Sequence, residues 1–126
     1  MRILDARIHG VLDFVTVAVL LLGPLLFGLG GSPAAIAYSL AAIHLLMTLL
    51  TRYPMGIWKT IPFVVHGIVE LIVGIFLLIL PTIQGYAPGS PARRFYMVVG
   101  AMILIVWALT RYAPEDAREA RDARNA

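Results

Sequence analysis

The sequence predicts an all-α fold: a transmembrane four-helix bundle built from two parallel two-helix repeats. The first indication is composition, because 60% of the 126 residues are apolar and 13% are charged, against about 45–50% and about 25% in an ordinary soluble domain. A soluble domain of this size has too much surface to hide so much apolar area. The other two indications are four long apolar stretches and an internal repeat. Lipid is therefore the expected solvent.

Each apolar stretch is close to the roughly 20 residues that a helix needs to cross the hydrocarbon core of a bilayer. None shows the apolar–polar alternation of a strand, and a helix satisfies its own backbone hydrogen bonds in lipid. We therefore expect one transmembrane domain over residues 1–113 and a polar cytoplasmic tail over residues 114–126. The stretches span about 8–29, 34–51, 61–83 and 95–112.

The distribution of basic residues predicts the orientation. Eight of the ten Lys and Arg lie at the two chain ends or between the second and third stretches, and only Arg93 and Arg94 lie on the opposite side. Positive charges are retained in the cytoplasm, so both termini are predicted to be cytoplasmic. Tyr53 and Tyr112 are expected at that lipid–water interface. A cleaved signal peptide is the less favoured interpretation of the first stretch, because Asp13 interrupts a long apolar run.

Composition also excludes several functions. The chain has no cysteine, so disulfides, thiolate metal sites and iron–sulfur clusters are excluded. The net charge of +3 comes from arginines at segment ends, which indicates membrane topology and not a nucleic-acid surface. No nucleophile elbow, phosphate loop or dinucleotide motif is convincing. We expect a protein that contacts the lipid bilayer, binds no nucleic acid and is not an enzyme, with a redox role as the less favoured alternative.

The chain contains an internal repeat. Matches of His, Pro, Gly and Arg in one order are hard to obtain by chance, so we interpret residues 8–53 and 65–112 as two duplicated units. Each unit holds two helices, so both enter the membrane in the same direction, related by a pseudo-twofold axis along the membrane normal. A shift of 57 positions aligns His9 with His66, Gly10 with Gly67, Asp13 with Glu70 and Pro24 with Pro81, and a shift of 59 aligns Thr51-Arg52-Tyr53 with Thr110-Arg111-Tyr112.

This layout resembles the SPW-repeat family of small prokaryotic integral membrane proteins. The resemblance is carried by His-Gly-x-x-Asp, an apolar run, a proline with a glycine four residues later, a polar turn and a second helix. The Ser-Pro-Trp of the family falls at Gly23-Pro24-Leu25 and Leu80-Pro81-Thr82, so only the proline is retained. The resemblance implies a paired-helix repeat in the prokaryotic inner membrane and no assigned biochemistry.

Five ionisable residues inside the apolar stretches are the candidate functional group. A carboxylate at the centre of a membrane helix costs at least about 2.5–3.5 kcal/mol, so an acid there is a functional hypothesis by default. In each unit a histidine precedes the acid by four residues and therefore shares its helix face. We expect the five to meet on the bundle axis: His9, Asp13, His44, His66 and Glu70.

Three interpretations of this group stay open. In the structural one, Arg52 clamps Asp13 and Arg111 clamps Glu70, while Gly10 and Gly67 let the helices approach closely. In the second, the acids and histidines share or relay protons or handle an ion.

In the third, His9 and His66 hold a metal ion or a haem, although the absence of any cofactor is the favoured expectation. A membrane scaffold or partner subunit is a further alternative. Four thin spans enclose little interior, which favours a homo-oligomer.

Overall fold

The computed structural model describes residues 2–112 and 123–126, and it has the all-α four-helix architecture that the sequence predicts. The polar tail predicted over 114–126 lies largely outside the described residues. The helices are α1 (Ala6–Leu26), α2 (Gly31–Leu50), α3 (Phe63–Ile83) and α4 (Pro91–Leu109).

Local capping explains where two helices begin. Helix α1 begins two residues before the predicted stretch because the Asp5 carboxylate accepts a hydrogen bond from the backbone N–H of Ile8 at 2.9 Å. Helix α4 begins at Pro91, where the Ser90 hydroxyl accepts from the backbone N–H of Arg93 at 3.2 Å. Proline suits the first helical position because its missing N–H has no partner to lose there.

All four helices are long and apolar enough to cross a membrane. Large apolar side chains cover their outward faces, including Leu26, Ile43, Ile72 and Val98. Exposure of such an apolar surface to water is unfavourable, whereas the acyl chains of a bilayer solvate it. The chain is therefore a multi-pass helical membrane protein.

The helices pack as two hairpins. Helix α1 packs along α2, α3 packs along α4, and α1 and α4 join the two pairs. Glycines bring α3 and α4 close together, since a Cβ on Gly100 would lie 3.0 Å from the Gly74 carbonyl oxygen. Towards the end of the bundle that holds the α1–α2 and α3–α4 turns, the core is apolar, with Leu20, Leu77 and Tyr96 almost fully buried.

At the opposite end, the chain leaving each second helix is extended and pairs with the segment that enters a first helix. The backbone N–H of Arg111 donates to the carbonyl of Leu4 at 2.9 Å, and the N–H of Arg52 donates to the carbonyl of Ile61 at 2.8 Å. Thr110 consequently forms a bridge with Leu4, and Thr51 with Ile61. These two pairings bring the ends of α4 and α2 beside the starts of α1 and α3.

Candidate functional site

The structure brings the five ionisable residues of the candidate group into one cluster. His9 and His66 are the fourth residues of α1 and α3, and Asp13 and Glu70 are the eighth. The Nε2 atom of His9 lies 3.0 Å from Oε2 of Glu70 and 3.3 Å from Oδ1 of Asp13. The Nε2 atom of His66 lies 3.2 Å from Oδ2 of Asp13 and 3.5 Å from Oε1 of Glu70. Each of these histidines therefore faces both acids.

His44 of α2 is the fifth member. Its Nε2 atom lies 3.4 Å from Oδ1 of Asp13. Relative exposure is 0% for His9 and His66, 1% for Asp13, 3% for Glu70 and 7% for His44. Two carboxylates and three imidazoles are thus held away from both lipid and water, where an uncompensated charge is costly.

Two buried threonines fix the protonation of the central histidines. The hydroxyl of Thr51 donates its single hydrogen to the carbonyl of Met47 at 2.6 Å and lies 2.7 Å from Nδ1 of His66. With that hydrogen committed, the hydroxyl oxygen accepts, so Nδ1 of His66 carries a proton. Thr110 makes the corresponding pair of contacts, with the carbonyl of Val106 and with Nδ1 of His9 at 2.8 Å.

The opposite ring nitrogen is left with an unusual environment. None of the three Nε2 atoms in the cluster has a hydrogen-bond partner, although each lies 3.0–3.4 Å from a carboxylate oxygen. A ring N–H at these positions would be poorly aligned with those oxygens. When Nδ1 holds the only ring proton, Nε2 presents a lone pair to negatively charged oxygens, and that arrangement is repulsive unless a proton or a metal ion lies between them.

Comparisons with protein-family models, curated proteins and solved structures gave no match.

Two tyrosines complete the cluster by holding the carboxylates. The phenol of Tyr53 donates to Oδ2 of Asp13 at 2.7 Å, and that of Tyr112 donates to Oε2 of Glu70 at 3.0 Å. Burial raises the pKa of both phenols above the ordinary value, and the adjacent carboxylate raises it further. Both phenols are therefore protonated donors across the physiological pH range, and each leaves the second oxygen of its acid available.

The placement of Tyr53 and Tyr112 corrects the expectation that they face the lipid–water interface. Their exposures are 4% and 7%, because the extended chain after α2 and α4 turns inwards over the start of α1 and α3. Together with Phe63, which packs on both rings at centroid distances of 5.3 and 4.8 Å, they cover this end of the cluster with aromatic side chains.

The glycine after each histidine makes room for this covering. A Cβ on Gly67 would lie 2.5 Å from Cε1 of Tyr112, and one on Gly10 would lie 2.5 Å from Cγ of Met55 and 3.1 Å from Cε2 of Tyr53. The two glycines were expected to let helices approach each other. The structure shows that they admit side chains from the segments that follow α2 and α4.

The predicted clamps of Asp13 by Arg52 and of Glu70 by Arg111 are wrong. Both arginines are exposed, and the Nε of Arg52 donates to the carbonyl of Lys59 at 3.0 Å while that of Arg111 donates to the carbonyl of Arg2 at 2.7 Å. The backbone is extended at Thr51 and Thr110, and successive side chains of an extended chain point to opposite sides. Residues 51 and 53, or 110 and 112, therefore face the cluster, and the arginine between them faces outwards.

The cluster has the donor set and size of a metal site. Ligand atoms from His9, Asp13, His66 and Glu70 all lie within 4.8 Å of one another, whereas two ligands on opposite sides of one ion are about 4 Å apart.

A haem does not fit here. Carboxylate oxygens lie within 3.5 Å of both central Nε2 atoms, in the space that the macrocycle would need between two axial histidines.

Proposed function

We propose that this membrane protein binds a divalent transition-metal ion inside the bundle. His9, Asp13, His66 and Glu70 are the central ligands, and His44 is positioned to add a third imidazole. The observation that carries the proposal is the set of three buried Nε2 atoms without hydrogen-bond partners, aimed among two carboxylates.

Charge balance supports the same proposal. Within residues 2–112, the ion-pair contacts of Asp13 and Glu70 are all with histidines. If those histidines are neutral, the two carboxylates leave a buried charge of −2, which is very costly in a low-dielectric interior. One divalent cation neutralises it and also uses the lone pairs.

The surroundings of the ligands match known metal sites. A histidine that ligates a metal usually donates its other ring N–H to a fixed acceptor, and ligating carboxylates are themselves hydrogen-bonded. Thr110 and Thr51 accept from the histidines, and Tyr53 and Tyr112 donate to the acids. Imidazole nitrogens mixed with carboxylate oxygens favour Zn²⁺, Fe²⁺, Mn²⁺ or Ni²⁺ over Ca²⁺, which prefers oxygen ligands alone, and over Cu⁺, which prefers sulfur.

Proton or ion conduction is less well supported by this arrangement. Beyond the cluster, the axis is filled by apolar side chains, with Leu20 at 2% and Leu77 at 1% exposure. A conducting path needs polar groups or water along the axis. A metal site closed on that side needs neither.

We place this site in the prokaryotic inner membrane, near its cytoplasmic face. The proposal is supported by the excess of Lys and Arg at the two chain ends and between α2 and α3, since the cluster lies in the halves of α1 and α3 nearest those segments.

Duplication of one hairpin is supported by matched contacts. Thr51 contacts His66 as Thr110 contacts His9, and Tyr53 donates to Asp13 as Tyr112 donates to Glu70. Self-association remains a proposal that rests on the small size of the bundle.

The metal content of the purified protein tests the proposed function. Protein extracted without chelators is analysed by inductively coupled plasma mass spectrometry, and metal-depleted protein is titrated with Co²⁺, whose visible spectrum reports its ligands. We expect about one ion per chain, with affinity at least 100-fold lower after Asp13→Asn and Glu70→Gln together.

The matched control is Asp5→Asn, which makes the same chemical change at an exposed helix cap. Circular dichroism establishes whether each variant keeps its helices. A wild-type protein that takes up no Co²⁺, or a well-folded double variant that binds it as the wild type does, contradicts the proposal.

A further inference from the structure

The two hairpins are not packed equally on their two sides. Helices α1 and α4 join the hairpins, whereas the backbones of α2 and α3 come close to each other at almost no point. A small, partly open cavity of about 40 Å³ lies in the seam between α2 and α3. Its walls are apolar apart from one residue, and the side walls are formed by Leu40, Ile43, His44, Met47, Val69 and Val73.

The polar exception is His44, which links the cavity to the metal site. Its side chain lines the cavity and retains 8% exposure, while its Nε2 lies 3.4 Å from Asp13. In the alignment of the two units, the shift of 59 that pairs Thr51 with Thr110 pairs His44 with Ile103. The fifth member of the cluster therefore has no histidine counterpart in the second unit. The only asymmetric member of the cluster is therefore the one at the cavity.

Other approaches to the cluster are covered in the described part of the chain. The aromatic rings of Tyr53, Phe63 and Tyr112 lie over the end near the helix starts. Leu20 and Leu77 fill the axis on the other side. The α2–α3 seam opens instead on the outward face of the bundle, beside Ile43, which is 63% exposed.

We propose that the seam admits an uncharged, lipid-dissolved molecule with an apolar body and one oxygen function, a hydroxyl or a carbonyl. The oxygen reaches the cluster beside His44, and the apolar body lies against α2 and α3. Because the oxygen completes the coordination of an ion there, this part of the proposal rests on the proposed metal site.

The walls and the position of the cavity support this class of ligand. An ion or a peptide is excluded because the mouth faces acyl chains and the walls offer it no polar partner. A plain acyl chain satisfies the walls but leaves the polar end without a partner. Ligand cavities of about 300–1,000 Å³ are typically apolar with a few placed polar groups. This one has the same kind of lining but a volume of about 40 Å³, so it takes the oxygen end of the ligand while the apolar body lies along the open seam.

Photolabelling of purified protein in nanodiscs tests the proposal. The probe is a ten-carbon primary alcohol with a diazirine on its chain, and the control probe is the same diazirine on decane. We expect saturable labelling of peptides that contain Met47 or Val69, at least tenfold stronger for the alcohol than for the alkane. In Co²⁺-loaded protein, saturating decanol should also shift the visible absorption of the ion.

Two variants of neighbouring residues on α3 separate the cavity from the general lipid surface. Val73→Trp fills the seam and should reduce labelling by the alcohol at least tenfold. Ile72→Trp makes the same change at a lipid-facing position, 61% exposed, and should leave it unchanged. The comparison of alcohol with alkane in the wild type needs no variant, so a misfolded Val73→Trp protein does not remove the test.

The failures of the two proposals are distinguishable. Equal, non-saturable labelling by alcohol and alkane in a protein that binds Co²⁺ overturns the ligand proposal and leaves the metal site standing, with bilayer acyl chains as the occupant. Saturable, alcohol-selective labelling in a protein that binds no metal supports the ligand proposal and overturns the proposed metal site.

Discussion

Replacement of Thr51 by valine tests the link between the threonine and the metal-binding nitrogen of His66. Valine has nearly the shape of threonine, and Thr51 is fully buried, so the change removes a hydroxyl without opening a cavity. The Nδ1–H of His66 loses its acceptor at 2.7 Å. Loss of such an outer partner of a ligand typically lowers metal affinity about 10–100-fold, which corresponds to about 1.4–2.7 kcal/mol.

The same substitution should also destabilise the fold, because a buried donor left unsatisfied costs about 1–3 kcal/mol. The matched control is Thr16→Val. Thr16 is buried, and its hydroxyl donates to the carbonyl of Leu12 at 2.9 Å without contacting a histidine ring. Both variants lose a hydroxyl-to-carbonyl bond, and only Thr51→Val loses an imidazole partner.

The assay is competition for Zn²⁺ between the protein in detergent and a chromophoric chelator. We expect Thr51→Val and Thr110→Val each to bind at least tenfold more weakly than the wild type, and Thr16→Val to stay within about threefold of it. If Thr51→Val binds Zn²⁺ as tightly as Thr16→Val, the threonine does not set the tautomer of His66, and the reasoning that exposes a lone pair on Nε2 fails.

Three further predictions follow from the contacts around the acids. Tyr112→Phe removes the 3.0 Å hydrogen bond to Glu70 and should weaken Zn²⁺ binding about tenfold in the same assay; unchanged affinity would show that the phenol does not hold the ligand. Gly67→Ala places a Cβ 2.5 Å from the ring of Tyr112 and should lower thermal stability by about 1–3 kcal/mol. Gly30→Ala is its control, because a Cβ there meets nothing within 4 Å, and equal losses for the two alanines would refute the steric argument. Arg52→Ala should leave Zn²⁺ affinity within about twofold, because the arginine is exposed and bonded to a backbone carbonyl; a larger loss would restore a role for this cation at the site.

Much of the fold could be predicted because hydrophobic length is a property of the sequence alone. The span predicted at 61–83 became Phe63–Ile83, and the others moved by a few residues at their ends. The meeting of His9, Asp13, His66 and Glu70 could be expected because a spacing of four residues places each pair on one helix face. The sequence could not decide among arginine–carboxylate ion pairs, proton transfer and metal binding. That decision depends on where the two arginines point and on which nitrogen of each imidazole faces the acids.

The residues that fix this choice were visible but misinterpreted. The repeat Thr-Arg-Tyr occurs at 51–53 and 110–112, and its arginine suggested a counter-charge while its tyrosine suggested an interfacial aromatic. Both interpretations assume that the chain leaves the membrane when the helix ends. The chain instead becomes extended and turns back over the bundle, so Thr51 and Tyr53 face inwards. A strand-like alternation within three residues is too short to be recognised from sequence.

If His9 and His66 are protonated at Nδ1 and ligate a divalent ion through Nε2, ¹⁵N NMR of the histidine rings measures both nitrogens directly. In Zn²⁺-loaded protein we expect His9 and His66 to show a protonated Nδ1 and an Nε2 with the shift of a metal-bound nitrogen. Spectra in which both ring nitrogens carry protons, unchanged by adding or removing Zn²⁺, would contradict the claim and assign the cluster to protons instead.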